Sequence, residues 1–430
     1  MAHRGWLRLG DTELANTRRT VTYWENVACN QSIELVKDDS WPELARYLQH
    51  DDYTTPLADP APWVNRDEPA TGDFLGVWVM GLEGLDSAPL QRETVEAVGG
   101  GGGFTAPGWS VREIHVEAIL LAATPVGLEY GLEWLNSSLV QDRCEPLGEG
   151  RQLHFLAAAP YMGWSPTDQE VRAAGVDQER WLNNVVCTQP VEVQERFGQW
   201  DKDPTQKIAA RVSFTLSSGN PFVWKSRRSL VAPALMVDGE PRQVVFERVA
   251  EDGSWSGTCD DPNQPLVDPA LPAPAQLPRP VTPASAVGYQ PFQSRHLELN
   301  VPARLVRPWE TMLPTVTIQA GAKDERSVRI QWVRGRDTSD LGCESIGEAM
   351  VGYIPAGATL TLDGVTGRAT VLMPGESMER DATSVVTGRN GAPWRPATLR
   401  CGDEHTLVVQ APQDVDEGAL VAAYGSVRMN

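Results

Sequence analysis

Hydrophobic and polar positions alternate along Val111–Leu121 (VREIHVEAILL), with Ile114, Val116, Ala118 and Leu120 on one side and Glu113, His115 and Glu117 on the other. That period predicts a strand with one buried face. The period then changes. Thr124-Pro125 has the form of an N-cap and first helical residue, and Leu128, Leu132, Leu135 and Leu139 follow at spacings of 4, 3 and 4. An amphipathic helix packed on a sheet is predicted. The apolar run Phe74–Leu82 (FLGVWVMGL) reads as a buried strand, and further strands are expected over Gln152–Leu156, Leu182–Gln194 and Ile208–Leu216. Two shorter helices have comparable starts: Ser40-Trp41-Pro42-Glu43 has capping-box spacing before Leu44 and Leu48, and Ser165-Pro166-Thr167-Asp168 opens a run to Gly175.

Toward the C-terminus only strand patterns recur, over Leu297–Val301, Thr315–Gln319, Ser327–Val333, Ala349–Ile354, Thr359–Leu362, Ala369–Met373 and Thr406–Gln410. Gly321, Gly335, Asp363-Gly364, Asn390-Gly391 and Cys401-Gly402-Asp403 punctuate them, a rhythm that suggests a β-sandwich, in particular a jelly roll. Between the two regions lies Asp260–Pro283 (DDPNQPLVDPALPAPAQLPRPVTP), where proline recurs every few residues and no period survives. It reads as an extended spacer. The expected class is mainly β: an α+β N-terminal domain over residues 1–255 with a strand-packed helix, a Pro-rich linker over 256–290, and a C-terminal sandwich over 291–430.

Composition sharpens this outline. The chain has 430 residues with 38 Gly and 33 Pro, and 15 Trp against 8 Tyr and 8 Phe. Glycine and proline are plentiful enough for many turns yet below the roughly 25–30 % that marks low-complexity disorder. Thirty-seven basic against 57 acidic residues give a formal charge of −20, which argues against nucleic acid or an anionic membrane as the main partner. No apolar run approaches a membrane span, and Met1–Asn16 lacks the apolar core of a secretory signal, so a soluble, cytosolically made protein is expected. The six cysteines (Cys29, Cys144, Cys187, Cys259, Cys343, Cys401) form no C-x-x-C pair and read as free thiols.

Candidate chemistry is sparse. The pentaglycine Gly99–Gly103 lacks the G-K-[ST] ending of a phosphate loop and reads as a hinge or loop tip before Phe104 and Trp109, together a candidate assembly loop. Glu113, His115 and Glu117 share a strand face and could ligate a metal, as could Cys401, Asp403, Glu404 and His405. A polar sheet face explains the first group and a turn the second. No metal or other cofactor is therefore expected. Neither a G-x-S-x-G elbow nor an H-E-x-x-H helix occurs, so hydrolysis has no positive support and no enzymatic activity is expected. Trp309, Trp332 and Trp394 of the C-terminal region are candidates for stacking on sugar rings.

The ordered segments Gly76–Leu85 (GVWVMGLEGL), the Gly-rich stretch, Val111–Leu139, Val212–Trp224 (VSFTLSSGNPFVW), the Pro-rich spacer, Val328–Trp332 (VRIQW) and Ile354–Gly364 (IPAGATLTLDG) resemble the distal tail proteins of siphophages, among them minor tail proteins of actinobacteriophages. The resemblance covers most of the chain and rests on pattern and order. It implies a structural protein of the virion, assembled in the host cytoplasm and located at the distal end of the tail. The N-terminal domain would form a ring, commonly a hexamer, between the tail tube and the tail-tip hub or baseplate, beside the tape-measure protein, and carry an outward galectin-like or jelly-roll domain. Two alternatives stand beside it: a receptor-recognition protein binding host-wall glycan through the sandwich, and a glycan hydrolase.

Overall fold

The computed structural model describes residues 2–26, 41–50, 52–59, 61–86, 89–96, 101–106, 108–140, 150–163, 165–198, 208–243, 293–307, 310–336, 338, 345–388, 391–400 and 403–429. They fall into two compact units, Met1–Ser226 with Arg428–Asn430, and Arg227–Val427. Both are dominated by antiparallel strands, so the chain is mainly β. No described helix is long and apolar enough to cross a membrane.

Unit 1 opens with β1 (His3–Leu9), β2 (Thr12–Asn16), α1 (Thr17–Asn26) and the short α2 (Leu44–Tyr47). Next come β3 (Phe74–Glu83), the short strands β4 (Leu90–Gln91), β5 (Thr94–Glu96), β6 (Gly102–Phe104) and β7 (Gly108–Trp109), then β8 (Arg112–Ala122) and α3 (Pro125–Val140). After these run β9 (Arg151–Leu156), α4 (Asp168–Gln178), β10 (Glu179–Phe197), β11 (Ile208–Ser218) and β12 (Val223–Lys225). The ladder β3-β8-β11-β10 continues through β10 into β9, β1 and β2. One strand can serve both halves because β10 slips register at Cys187/Gln189, Gln189/Glu192 and Val193/Glu195, and Pro190, unable to donate to a ladder, sits among these bulges.

Helix α3 begins as its sequence predicts: Thr124 Oγ1 accepts from the Gly127 amide at 3.1 Å. Gly131 lets it lie close to β3, since a Cβ there would meet the Phe74 ring at 2.3 Å. Thr167 and Glu170 form the expected capping box of α4. Ser40, the cap expected before α2, lies outside the described residues; Glu43 is the N-cap, without a side-chain hydrogen bond, and the helix stops after four residues.

The turn from β2 into α1 holds a buried polar knot. Asn16 Oδ1 accepts from the Arg19 amide at 3.0 Å, and the Arg19 side chain, on a residue 1 % exposed, pairs with Glu13 at 2.5 Å. Glu13 also accepts from Trp6 Nε1 (3.2 Å) and Asn16 Nδ2 (3.1 Å), while the Arg19 guanidinium covers the Tyr53 ring at 4.8 Å.

Nearby, His154 Nδ1 lies 2.9 Å from Glu179 Oε1, and Tyr47 OH donates to Oε2 at 2.7 Å. Burial pushes the Glu179 pKa up, but these contacts outweigh it and hold it below its ordinary value. The unfolded chain then binds more protons than the folded one between the two values, so this stabilisation is complete above about pH 4.5 and lost as pH falls through the lowered value. Glu179→Gln should accordingly flatten the acid side of the stability curve measured by urea unfolding, with the wild type losing stability more steeply.

Unit 2 comprises β13 (Arg228–Leu235), β14 (Glu240–Gln243), β15 (Gln293–Val301), β16 (Thr311–Gln319), β17 (Glu325–Arg334), β18 (Ser345–Ile354), β19 (Thr359–Asp363), β20 (Arg368–Leu372), β21 (Arg380–Asp381), β22 (Val386–Thr387), β23 (His405–Pro412) and all of β24 (Leu420–Met429) except its last two residues. One sheet runs β14-β15-β23-β17-β18-β22, the other β13-β24-β16-β19-β20-β21. They face each other across a core in which Val328, Ile330, Trp332, Leu407 and Val409 meet Met312, Val316, Ile318, Leu360 and Val421. This is a β-sandwich.

The units divide between Ser226 and Arg227, not at the Pro-rich stretch. Arg228–Gln243, expected to close the N-terminal domain, instead supplies edge strands to the sandwich: β13 pairs with β24, and β14 with β15. The expected linker, residues 256–290, lies outside the described residues, but the strands flanking it end as register partners, Gln243 opposite Gln293. It connects two neighbouring strands of one sheet. In sequence, unit 2 is inserted between residues 226 and 428 of unit 1.

Candidate assembly surface

The connection from β3 to β8 is a two-stranded arm. Leu90 pairs with Trp109, and Thr94, Val95 and Glu96 pair with Phe104, Gly103 and Gly102. Gly99 and Gly100 lie outside the described residues; Gly101 has φ +85°, and Gly102 and Gly103 form part of β6. The expected loop tip thus runs into a ladder. The arm carries apolar side chains that its own fold leaves in water: Phe104 is 73 % exposed, Val95 59 %, Leu90 50 % and Trp109 39 %. Phe104 lies opposite Thr94 and Val95 opposite Gly103, so each face of the ladder exposes one of these side chains.

The arm's root is rigidly held. Gly84 leaves β3 at φ +92°, where an added Cβ would lie 1.9 Å from the Glu113 carbonyl oxygen. Arg112, buried and with its pKa pushed down by that burial, donates to the carbonyls of Pro221 (2.6 Å), Gly84 (2.7 Å) and Leu85 (3.3 Å). Trp109 meets Phe222 edge to face at 5.0 Å, and Arg428 covers Phe222 at 4.4 Å.

One open strand edge accompanies the arm: among the described residues β10 beyond Cys187 pairs only with β11. β3 pairs only with β8, and its other edge is covered within the chain, Trp63 Nε1 donating to the Phe74 carbonyl (3.0 Å), Thr20 Oγ1 to that of Val77 (3.3 Å) and Arg4 to that of Met80. One face of this sheet is polar. His115 Nδ1 contacts Thr215 Oγ1 (3.1 Å), Arg211 donates to Glu117 (2.9 Å), and Gln194 donates to Ser213 (2.9 Å). Glu113 lies 3.9 Å from His115. Glu117 is thus engaged by a guanidinium, and among the described residues no group of three or more His, Cys, Asp or Glu side chains is set to hold a metal. Of the other candidate cluster, Cys401 lies outside the described residues, Asp403 and Glu404 pair with Arg334 and Arg336, and His405 is 1 % exposed in β23.

Two of the three tryptophans proposed for sugar stacking, Trp332 and Trp394, do not present open rings. Trp332 is 4 % exposed in the sandwich core and Trp394 is half-buried against it; Trp309 lies outside the described residues. Trp332 and Trp394 line a cavity of about 10 Å³, room for one water and far too small for a sugar ring. Sequence reading flagged Phe104 and Trp109 but missed Leu90, Val95, Phe222 and Arg428. Leu90 and Val95 are separated by four polar residues with no period to flag them, and the place of Phe222 beside Trp109 becomes visible only once the chain is folded.

No protein-family model matches the chain, and no curated protein does. Among solved structures it is similar to the SPP1 Dit protein, described as a paradigm of the hub adsorption apparatus in phages infecting Gram-positive bacteria, with a TM-score of 0.37 and 11 % identity over 83 % of this chain and 94 % of that one. It is also similar to chains of the phage P2 baseplate in its activated conformation, with Ca (TM-score 0.31, 6 % identity, 79 % and 92 % covered) and with Sr (0.33, 7 %, 82 % and 90 %). Likenesses at these scores carry no argument about this chain.

Proposed function

We propose that this chain is a structural component of a siphophage tail tip, in which unit 1 assembles as a ring, of six copies by the family resemblance, joining the tail tube to the hub or baseplate, with unit 2 as the outer domain. The observation that carries this reading is the arm with its exposed apolar side chains on a sheet whose β10 edge is open beyond Cys187. An isolated subunit built this way leaves apolar surface and strand backbone in water, and closure on further copies of itself satisfies both. The polar sheet face with Glu113, His115 and Glu117 then turns to the channel. Six whole chains carry about −120 formal charges, and carboxylates such as Glu113 on a channel wall would not hold passing DNA. The ordered motifs of the sequence support the same assignment to the virion, with tube, hub and tape-measure proteins as neighbours and no catalytic role. Glycan binding draws no support from the positions of Trp332 and Trp394.

Sedimentation velocity and negative-stain microscopy of the wild type and of Val95→Asp/Phe104→Asp test the reading. Each apolar side chain buried on association contributes roughly 1.5–3 kcal/mol, so the double variant should associate at least about a hundredfold more weakly. The wild type should sediment as a multiple of 47.0 kDa or do so when mixed with its tube and hub partners, and the variant as a folded monomer. Equal assembly by both proteins, or a wild type that stays monomeric with those partners present, would sink the ring.

A further inference from the structure

Unit 1 cannot be completed by residues 1–226 alone. Its short strand β12 pairs on one side with β10, Arg180 and Trp181 opposite Lys225 and Trp224, and on the other with residues that follow unit 2 in sequence, Trp224 opposite Arg428 and Val223 opposite Met429. One of these late residues, Arg428, is linked to the arm through Phe222. Arg428 covers Phe222, Phe222 meets Trp109 at the arm's base and Trp224 at 6.5 Å, and Trp224 stacks on Trp181 at 5.8 Å. An aromatic relay therefore runs from the sheet to the arm, and its outer cation arrives last.

We propose that Arg428 and Met429 act as a completion latch, fixing the arm in its binding position only after the chain has been made through unit 2. About 200 residues separate Ser226 from Arg428, and at about 5–20 residues per second their synthesis takes roughly 10–40 s. During that interval β12 lacks its β24 partner and Phe222, against which Trp109 packs, lacks its cation. A nascent chain thus holds an unset arm, and premature association through Phe104 and Val95 is disfavoured until the whole polypeptide is present. The consequence for assembly rests on the ring reading above; the effect on the arm does not.

Hydrogen exchange on full-length protein reads the latch directly. Arg428→Ala keeps the backbone pairing and removes the cation; exchange at the Gly108–Ser110 amides should rise about tenfold, the effect of losing one partly desolvated cation–aromatic contact. Arg428→Lys should restore part of the protection, and Met429→Pro, which fixes φ at the last register pair of β12 and β24, should loosen the arm through the backbone instead. Exchange in the sandwich strands β17 and β23 should stay unchanged throughout, which separates latch loss from general unfolding. Unchanged exchange at the arm in both Arg428→Ala and Met429→Pro overturns the proposal. A loosened arm that still forms rings at wild-type concentration overturns its role in assembly. If the wild type never assembles, the ring reading fails while the exchange comparison still decides the latch.

Discussion

Arg19→Ala is expected to destabilise unit 1 by about 3–5 kcal/mol, the range for breaking a buried ion pair by removing one partner. Arg19 is 1 % exposed and Glu13 nearly as sheltered, so the deletion leaves a carboxylate out of water with only Trp6 and Asn16 as donors. It also uncovers the Tyr53 ring and removes the contact of Arg19 Nη2 with His50 Nδ1 at 3.3 Å. Removing both charges at once should be milder: Glu13→Gln/Arg19→Met keeps an acceptor for Trp6 and fills the guanidinium's space with an apolar side chain. Urea unfolding followed by tryptophan fluorescence measures the series, with Trp6 reporting locally. A cost under about 1 kcal/mol for Arg19→Ala, as for a solvent-screened surface pair, would show that the knot is ornamental.

That knot was illegible in the sequence, for a physical reason. Helix α1 (TRRTVTYWEN) buries Thr17, Arg19 and Thr20 beside Val21, Tyr23 and Trp24, so its inward face has no clean apolar period. Strand β24 (LVAAYGSVRM) escaped notice similarly, because Ala, Gly and Ser fill four of its six buried positions and leave only Val421 and Val427 as apolar markers. Elements whose burial is apolar and periodic were read nearly to the residue: β8, α3 and β11 lie where Ile114–Leu120, Leu128–Leu139 and Ile208–Leu216 predicted. Trp332 is a case where the pattern held more than was taken from it. It lies in phase with Val328 and Ile330, the core-facing side of β17, and that phase already placed its ring inside the sandwich. The arm shows the opposite limit. A glycine run signals freedom of backbone, but which flanking apolar side chains stay in water depends on what else packs there.

The Pro-rich segment marks the largest departure, and it yields the second strong expectation: replacing residues 244–292, the segment together with its flanks up to the paired strands, with an Asn-Gly turn should leave unit 2 folded and no less stable. Composition reveals only that such a stretch cannot join a ladder or a core; it does not reveal whether the stretch joins two domains or two strands. The register decides. Gln243 opposes Gln293, and the pairing runs on through Arg242–Ser294 and Pro241–Arg295 to Glu240–His296, so a two-residue type I′ turn can close this hairpin without moving either strand. Loop closure costs about 0.6 kcal/mol per doubling of length, and the replacement removes between four and five doublings, so the sandwich should gain roughly 2–3 kcal/mol. An inter-domain linker cut to two residues would give the reverse result. A protease nick inside the segment separates the two cases in the intact protein. With β13 held by β24 and β14 by β15, the fragments on either side of the cut should co-elute in native buffer and part only in denaturant. Fragments that separate without denaturant, or a shortened variant that loses its cooperative unfolding transition, would return the segment to the role its composition first suggested.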